Sequence, residues 1–161
     1  MQRSVQVLFA LLAGLCSSIS TARPVQNWSD KDLTDHADLV VVAAPASSQD
    51  EPADRSNAKS DSWVGVNTKF QVAAVLKGEL KEGEVTLLHH RYFGGDKTAV
   101  EIIDGPGFVK FDPAAGQKYM LYLKRLEDGR FEPVSGQYDP HFSVKVIKDY
   151  ADPTVRPVNK P

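Results

Sequence analysis

The fold is decided by residues 63–77, WVGVNTKFQVAAVLK, in which two kinds of side chain alternate. Even-numbered positions from Val64 to Leu76 are mainly apolar, whereas the odd-numbered ones between them are mainly small or polar. Because successive side chains of a strand point to opposite faces, this period of two predicts one long strand with one buried face. At about 3.3 Å per residue it would span roughly 50 Å, so it must bend, and Gly65 or Ala73-Ala74 permits the bend.

Shorter strand patterns surround this stretch. A turn at 78–83 leads to a strand at 85–92, which forms a hairpin with the first strand. Further strands are predicted at 39–44, 118–126, 131–134 and 142–146, with a tight turn at 127–130. Residues 29–38, SDKDLTDHAD, predict one short helix with Ser29 as its N-cap.

Two segments lack the side chains that a core needs. Residues 47–62 contain no large apolar side chain and are predicted to be a mobile loop. Residues 149–161 carry three prolines and are predicted to be a tail. The strand-rich remainder, 37–148, predicts a mainly β domain preceded by an N-terminal segment at 23–36. A small OB-like barrel of five to six strands is favoured because a long bent strand can serve both halves of a curled sheet; the alternative is a β-sandwich.

The first 22 residues have the three regions of an export signal. Arg3 is followed by an apolar run at 5–16 and then by small side chains, which places cleavage between Ala22 and Arg23, or alternatively after Ser20. The chain is therefore expected to be secreted or periplasmic. Lipid anchoring through Cys16 is disfavoured because the bulky Leu15 precedes it. No later segment is long and apolar enough to span a bilayer, so no membrane span is predicted.

Composition excludes several classes of protein. The 161 residues are 42% hydrophobic and 25% charged, which is typical of one globular domain. The single cysteine excludes an internal disulfide and a cysteine-rich zinc site. The net charge of −2 becomes −3 when Arg3 leaves with the signal, which argues against nucleic acid as a partner.

Four ordered segments carry a resemblance to a known domain: ADLVV at 37–41, FQVAAVLKG at 70–78, GQKYMLYL at 116–123 and DGRFEPVSG at 128–136. Over residues 37–147 the chain resembles exported bacterial proteins of unknown function. Their domain is similar to the OB-like barrel of tissue inhibitors of metalloproteinases and netrin modules. Those inhibitors chelate the protease zinc through an N-terminal cysteine, whereas the mature chain would begin with Arg23 and has no cysteine. The resemblance thus implies the barrel and not metalloproteinase inhibition.

Neither a catalytic residue, nor a metal site, nor a cofactor is predicted. His89 and His90 are adjacent, so on a strand their rings face opposite ways and cannot bind one ion. One of them is expected at the barrel rim and the other in solvent, while His141 has no defined metal partners. The serines lie in no Gly-x-Ser-x-Gly motif. The candidate carboxylates flank turns, where aspartate is common; they are Glu101, Asp104 and Asp112.

Alternating bases and aromatics suggest a weak ligand-binding patch, because such a surface on an OB-like barrel can stack sugars or bases. Its residues are His90, Arg91, Tyr92, Lys110 and Tyr119. Three functions remain open: an exported non-catalytic binding module with a protein or glycan partner in the cell envelope, an inhibitor of an envelope peptidase, and a hydrolase with His90 or His141 as base. The first is favoured.

Overall fold

The computed structural model describes residues 26–52, 63–93 and 106–148. The predicted signal at 1–22, the tail at 149–161, and Glu101 and Asp104 lie outside these residues. The described part contains one helix, two short 3-10 helices and six strands. They are α1 (Asp30–His36), β1 (Leu39–Asp50), β2 (Trp63–Lys77), β3 (Glu84–Tyr92), Pro113–Ala115, β4 (Lys118–Arg125), β5 (Phe131–Pro133), Pro140–Phe142 and β6 (Val144–Ile147).

The strands form a closed barrel of five strands with one strand added outside the closure. Their order is β1-β2-β3-β5-β4-β6, and β4 also pairs with β1 to close the ring. β3 and β5 run parallel and meet at Leu87 and Phe131, whereas every other pair is antiparallel. The predicted OB-like barrel is therefore confirmed over the alternative sandwich.

The barrel is filled by an aromatic cluster surrounded by aliphatic side chains. Phe70 packs edge-on against Phe111 and Tyr119, with ring centroids 4.9 and 6.5 Å away. The buried aliphatic side chains come from β1, β3 and β4, whereas β2 and β5 contribute Phe70 and Phe131. The buried members are Leu39, Val41, Ala43, Val85, Leu87, Leu121 and Leu123, together with Phe131.

Helix α1 packs on the outside of the barrel. Ser29 caps it with a capping box, since its hydroxyl accepts from the Asp32 N–H and the Asp32 carboxylate accepts from the Ser29 N–H. Leu33 is fully buried in a second cluster with Val40 and Tyr122. No helix in the described ranges is long and apolar enough to cross a bilayer.

The first strand is longer than its sequence indicates, which corrects the predicted loop at 47–62. Ser47–Asp50 continues β1 and pairs with β2, for example Ser48 with Thr68. Glu51 is also ordered: it is buried, its N–H donates to the Gly65 carbonyl at 2.7 Å, and its carboxylate pairs with Arg130. Polar residues form a strand here because backbone pairing with β2 requires no apolar side chain. The rest of that predicted loop, 53–62, lies outside the described residues.

The buried face of β2 is shorter than its alternation predicts. Val66, Thr68 and Phe70 are buried, whereas Leu76, in the same register, is 57% exposed. The last strand also begins later than expected, at Val144, because Pro140–Phe142 forms a 3-10 helix that interrupts the alternation.

Candidate functional site

A cavity of about 270 Å³ opens in the barrel wall beside the ends of β1 and β3. The pairing of β1 with β4 ends at Ala43, so the second half of β1 is joined to β2 alone. Residues 109–111 face the resulting gap and form its other side. We call this space the barrel cavity. It is lined by Ser48, Gln49, Asp50, Val66, His89, Arg91, Tyr92, Val109, Lys110 and Phe111.

The rim of the barrel cavity carries an ion pair between strands β1 and β3. Arg91 donates from Nε to Asp50 Oδ1 at 3.0 Å and from Nη2 to Asp50 Oδ2 at 2.5 Å. Its Nη1 donates to the Tyr92 carbonyl at 3.0 Å. The hydrogen bonds from Arg91 lower the pKa of Asp50, and those to Asp50 raise the pKa of Arg91. Both groups therefore stay charged, and together they contribute no net charge.

His89 lies on the inner side of the barrel cavity and is only 4% exposed. Its Nε2 is 2.8 Å from the Thr68 hydroxyl, which is 2.7 Å from the Ser48 hydroxyl, and its ring packs edge-on against Phe111. Burial lowers the pKa of His89 to about 4, so the ring is neutral at neutral pH. Its Nδ1 is buried and makes no hydrogen bond of normal geometry within the described ranges.

The hydrogen-bonded side chains of Ser48, Thr68 and His89 are suited to binding. A general base works best with a pKa near the operating pH, and the pKa of His89 lies well below neutrality. The hydroxyl that contacts the ring belongs to Thr68, which is fully buried and cannot reach a substrate. Of these three residues Ser48 is the exposed one, and its hydroxyl can donate and accept hydrogen bonds at the cavity.

His90 points to the opposite side of β3, as the alternation of a strand requires. It lies 6.1 Å from the Phe108 ring, and Phe108 contacts Trp63 at the same centroid distance. Tyr138 packs on Trp63 at 5.7 Å and is 49% exposed. Burial lowers the pKa of His90. We call Trp63, Phe108 and Tyr138 the aromatic surface.

Tyr92 connects the two features. It lines the barrel cavity, its ring lies 4.7 Å from Phe108, and its hydroxyl donates to the Pro106 carbonyl at 2.7 Å. The aromatic surface therefore begins where the barrel cavity opens.

The structure brings together three of the five residues predicted for the ligand patch. Arg91, Tyr92 and Lys110 line the barrel cavity. His90 lies beside the aromatic surface instead. Tyr119 is 9% exposed and belongs to the core with Phe70 and Phe111, because it faces inward from β4.

Sequence reasoning missed His89, Ser48 and Asp50 as parts of this site. His89 shares the inward register of Val85 and Leu87, so the alternation of β3 carried a usable signal. The expectation of one histidine at the rim and the other in solvent is wrong, since His89 is buried and His90 is half-buried. Ser48 and Asp50 carried no signal, because their polar segment is typical of a loop.

A larger concavity of about 700 Å³ lies between the β2–β3 turn and the β4–β5 turn. It is an open, mixed-charge groove in which Arg130 pairs with Asp128, and Arg125 stacks over the Phe131 ring at 4.6 Å. It holds no buried polar group comparable to His89 among the residues that line it. The barrel cavity is therefore the better candidate for a specific ligand.

No group of three or more histidine, cysteine or carboxylate side chains in the described part of the chain could hold a metal ion. No protein-family model matches the sequence. A search of curated proteins likewise finds no match.

Proposed function

We propose that the chain is a non-catalytic binding module exported to the cell envelope, and that the barrel cavity holds one group of a protein or glycan partner. The observation that carries this proposal is the concave, partly apolar cavity with buried His89 on its inner side and Arg91 at its rim. Ligand sites are typically concave and mostly apolar, with a few fixed polar groups. Export is supported by the charged, apolar and small-residue regions of residues 1–22.

The polar groups of this site are held by the scaffold. The hydroxyl of Thr68 holds the ring of His89, and Asp50 holds the guanidinium of Arg91. Groups that are already in place lose little conformational entropy on binding, which favours affinity and selectivity. A rigid site with a neutral imidazole supports recognition rather than hydrolysis.

The test is capture of partners from envelope extract by immobilised wild-type protein and by Arg91→Ala. The Asp50–Arg91 ion pair is half-exposed, so its loss is expected to cost at most about 1 kcal/mol, and the variant should fold. We expect the variant to lose most of the captured partner. Arg125→Ala is the matched control, because it removes the same charge at the other end of the barrel.

Equal capture by wild type, Arg91→Ala and Arg125→Ala would show that the barrel cavity is not the binding site. Hydrolysis of an envelope component by the purified protein would contradict the non-catalytic reading.

A further inference from the structure

We infer that the barrel cavity takes an uncharged sugar ring, and that the next ring of the same glycan lies on the aromatic surface. This inference rests on the proposed function, because it names the ligand of the same site. It follows from the size of the cavity, the pairing of its charges, its mixture of donors and acceptors, and the position of its aromatic side chains.

The size of the barrel cavity fits one ring. A volume of about 270 Å³ equals that of about nine water molecules, at roughly 30 Å³ each. Pockets for drug-sized ligands begin at about 300 Å³. A single sugar ring therefore fits this space, whereas several linked rings exceed it.

The charges at the rim favour an uncharged ligand. Arg91 and Asp50 neutralise each other through two hydrogen bonds. His89 is neutral at neutral pH. A carboxylate would compete with Asp50 for Arg91, and an ammonium group would compete with Arg91 for Asp50, so an ion that enters beside this pair disrupts it.

The hydrogen-bonding groups of the site match hydroxyls. Ser48 and Gln49 can both donate and accept, and the free lone pairs of Asp50 accept. A sugar hydroxyl also donates and accepts, so it can pair with each of these groups without a change in their protonation. An aliphatic group offers no hydrogen-bond partner to this set.

The aromatic side chains supply the apolar contacts that a sugar ring also needs. Phe111 and Tyr92 line the barrel cavity, where the C–H faces of a ring can pack. The contact of Tyr92 with Phe108 leads outward to Trp63 and to Tyr138, which is 49% exposed. A second ring linked to the first would leave the cavity over these side chains.

The experiment is a titration of the isotope-labelled protein, expressed from the full chain, followed by amide chemical shifts. The probes are glucose, galactose, mannose and N-acetylglucosamine, with glucuronate and glucosamine as charged analogues of the same size. We expect at least one neutral sugar to shift the amides of Ser48, His89 and Lys110. This sugar should bind at least tenfold more tightly than glucuronate and glucosamine. Arg91→Ala should weaken this binding at least tenfold, whereas Arg125→Ala should not change it.

The aromatic surface is tested separately with disaccharides of the sugar that binds. A disaccharide should bind at least fivefold more tightly than the monosaccharide, and Tyr138→Ala should remove this gain. The same variant should retain the affinity of the wild type for the monosaccharide, which shows that its cavity is intact.

Two results would overturn the inference. One is that no sugar shifts the cavity amides; the other is that a charged analogue binds as tightly as the neutral sugar. If the capture of an envelope partner still depends on Arg91 in either case, the proposed binding function stands with a different ligand. If that capture is also independent of Arg91, the proposed function fails with the inference.

Discussion

The two halves of β2 have the same alternating sequence and different surroundings. Residues 63–71 pair with β3, and their inward side chains Val66, Thr68 and Phe70 are buried. Residues 72–77 pair with β1 but not with β3, and Leu76, which stands in the inward register, is 57% exposed. Alternation therefore sets which side chains share a face, but burial needs an opposite wall, which the barrel supplies to the first half.

The largest expected difference between the halves comes from truncating one large apolar side chain in each. Phe70→Ala should lower the free energy of unfolding by about 3–5 kcal/mol, because it empties the centre of the core. Leu76→Ala should lower it by less than about 1 kcal/mol, since most of this side chain is already in water. Urea titration of both variants measures the contrast. Similar losses would show that β2 is buried along its whole length.

His89 pairs with Val66 of the buried half of β2. Its titration should make the stability of the protein depend on pH. Its pKa is about 4 in the folded protein and about 6.5 in the unfolded chain, so the unfolded state binds more protons between these values. Stability should thus fall as the pH falls from about 6.5 to 4, by about 3 kcal/mol in total from this group. Denaturant titrations at several pH values test this in the wild type.

His89→Gln should lose that part of the pH dependence, while His141→Gln, at an exposed histidine, should keep it. If the free energy of unfolding of His89→Gln changes with pH as steeply as that of the wild type, other groups cause the pH dependence.

A smaller effect is expected from the hydroxyl of Thr68, which contacts both His89 and Ser48. Thr68→Val keeps the shape of the side chain but leaves His89 Nε2 without its partner, at a cost of about 1–3 kcal/mol. The matched control is Thr86→Val on β3, whose side chain is only partly buried and should cost about 0.5 kcal/mol or less. Thermal unfolding compares the two. Equal, small losses of stability in the two variants would mean that the Thr68 hydroxyl contributes little to the stability of the fold.

The smallest expected effect concerns the beginning of the buried half, where Glu51 lies over Gly65. A Cβ at Gly65 would approach Glu51 Oε2 to 2.6 Å, so Gly65→Ala must displace the carboxylate that pairs with Arg130. In Glu51→Ala this conflict is absent, so Gly65→Ala should cost about 1 kcal/mol less in that background than in the wild type. A double-mutant cycle by urea titration measures the coupling. Additive costs would show that Glu51 moves aside freely.

Much of the fold could be predicted because its signals are local. Ser29 and Asp32 form the capping box three residues apart, so the start of α1 needs no tertiary contact. The hairpin of β2 and β3 follows from two alternating runs joined by a turn. By contrast, the strand at Ser47–Asp50 is specified by its pairing with the backbone of β2 and by the ion pair of Asp50 with Arg91, which are distant from it in sequence.

The candidate site could be predicted only in part for the same reason. The bases beside aromatic side chains indicated Arg91, Tyr92 and Lys110, which the structure places at one cavity. The pairing of Arg91 with Asp50 depends on how β1 crosses the barrel, and no pattern near either residue shows it.

The sequence by itself determined the mainly β class, the short helix and the inward face of the first half of β2, because these depend on neighbours within a few residues along the chain. The tertiary structure alone decided the length of β1, the exposure of residues 73–76 and the existence of the barrel cavity. Each of these depends on where the β1–β4 pairing ends and on which wall faces a given side chain. Such relations join residues far apart in the chain, so no local pattern of side chains contains them.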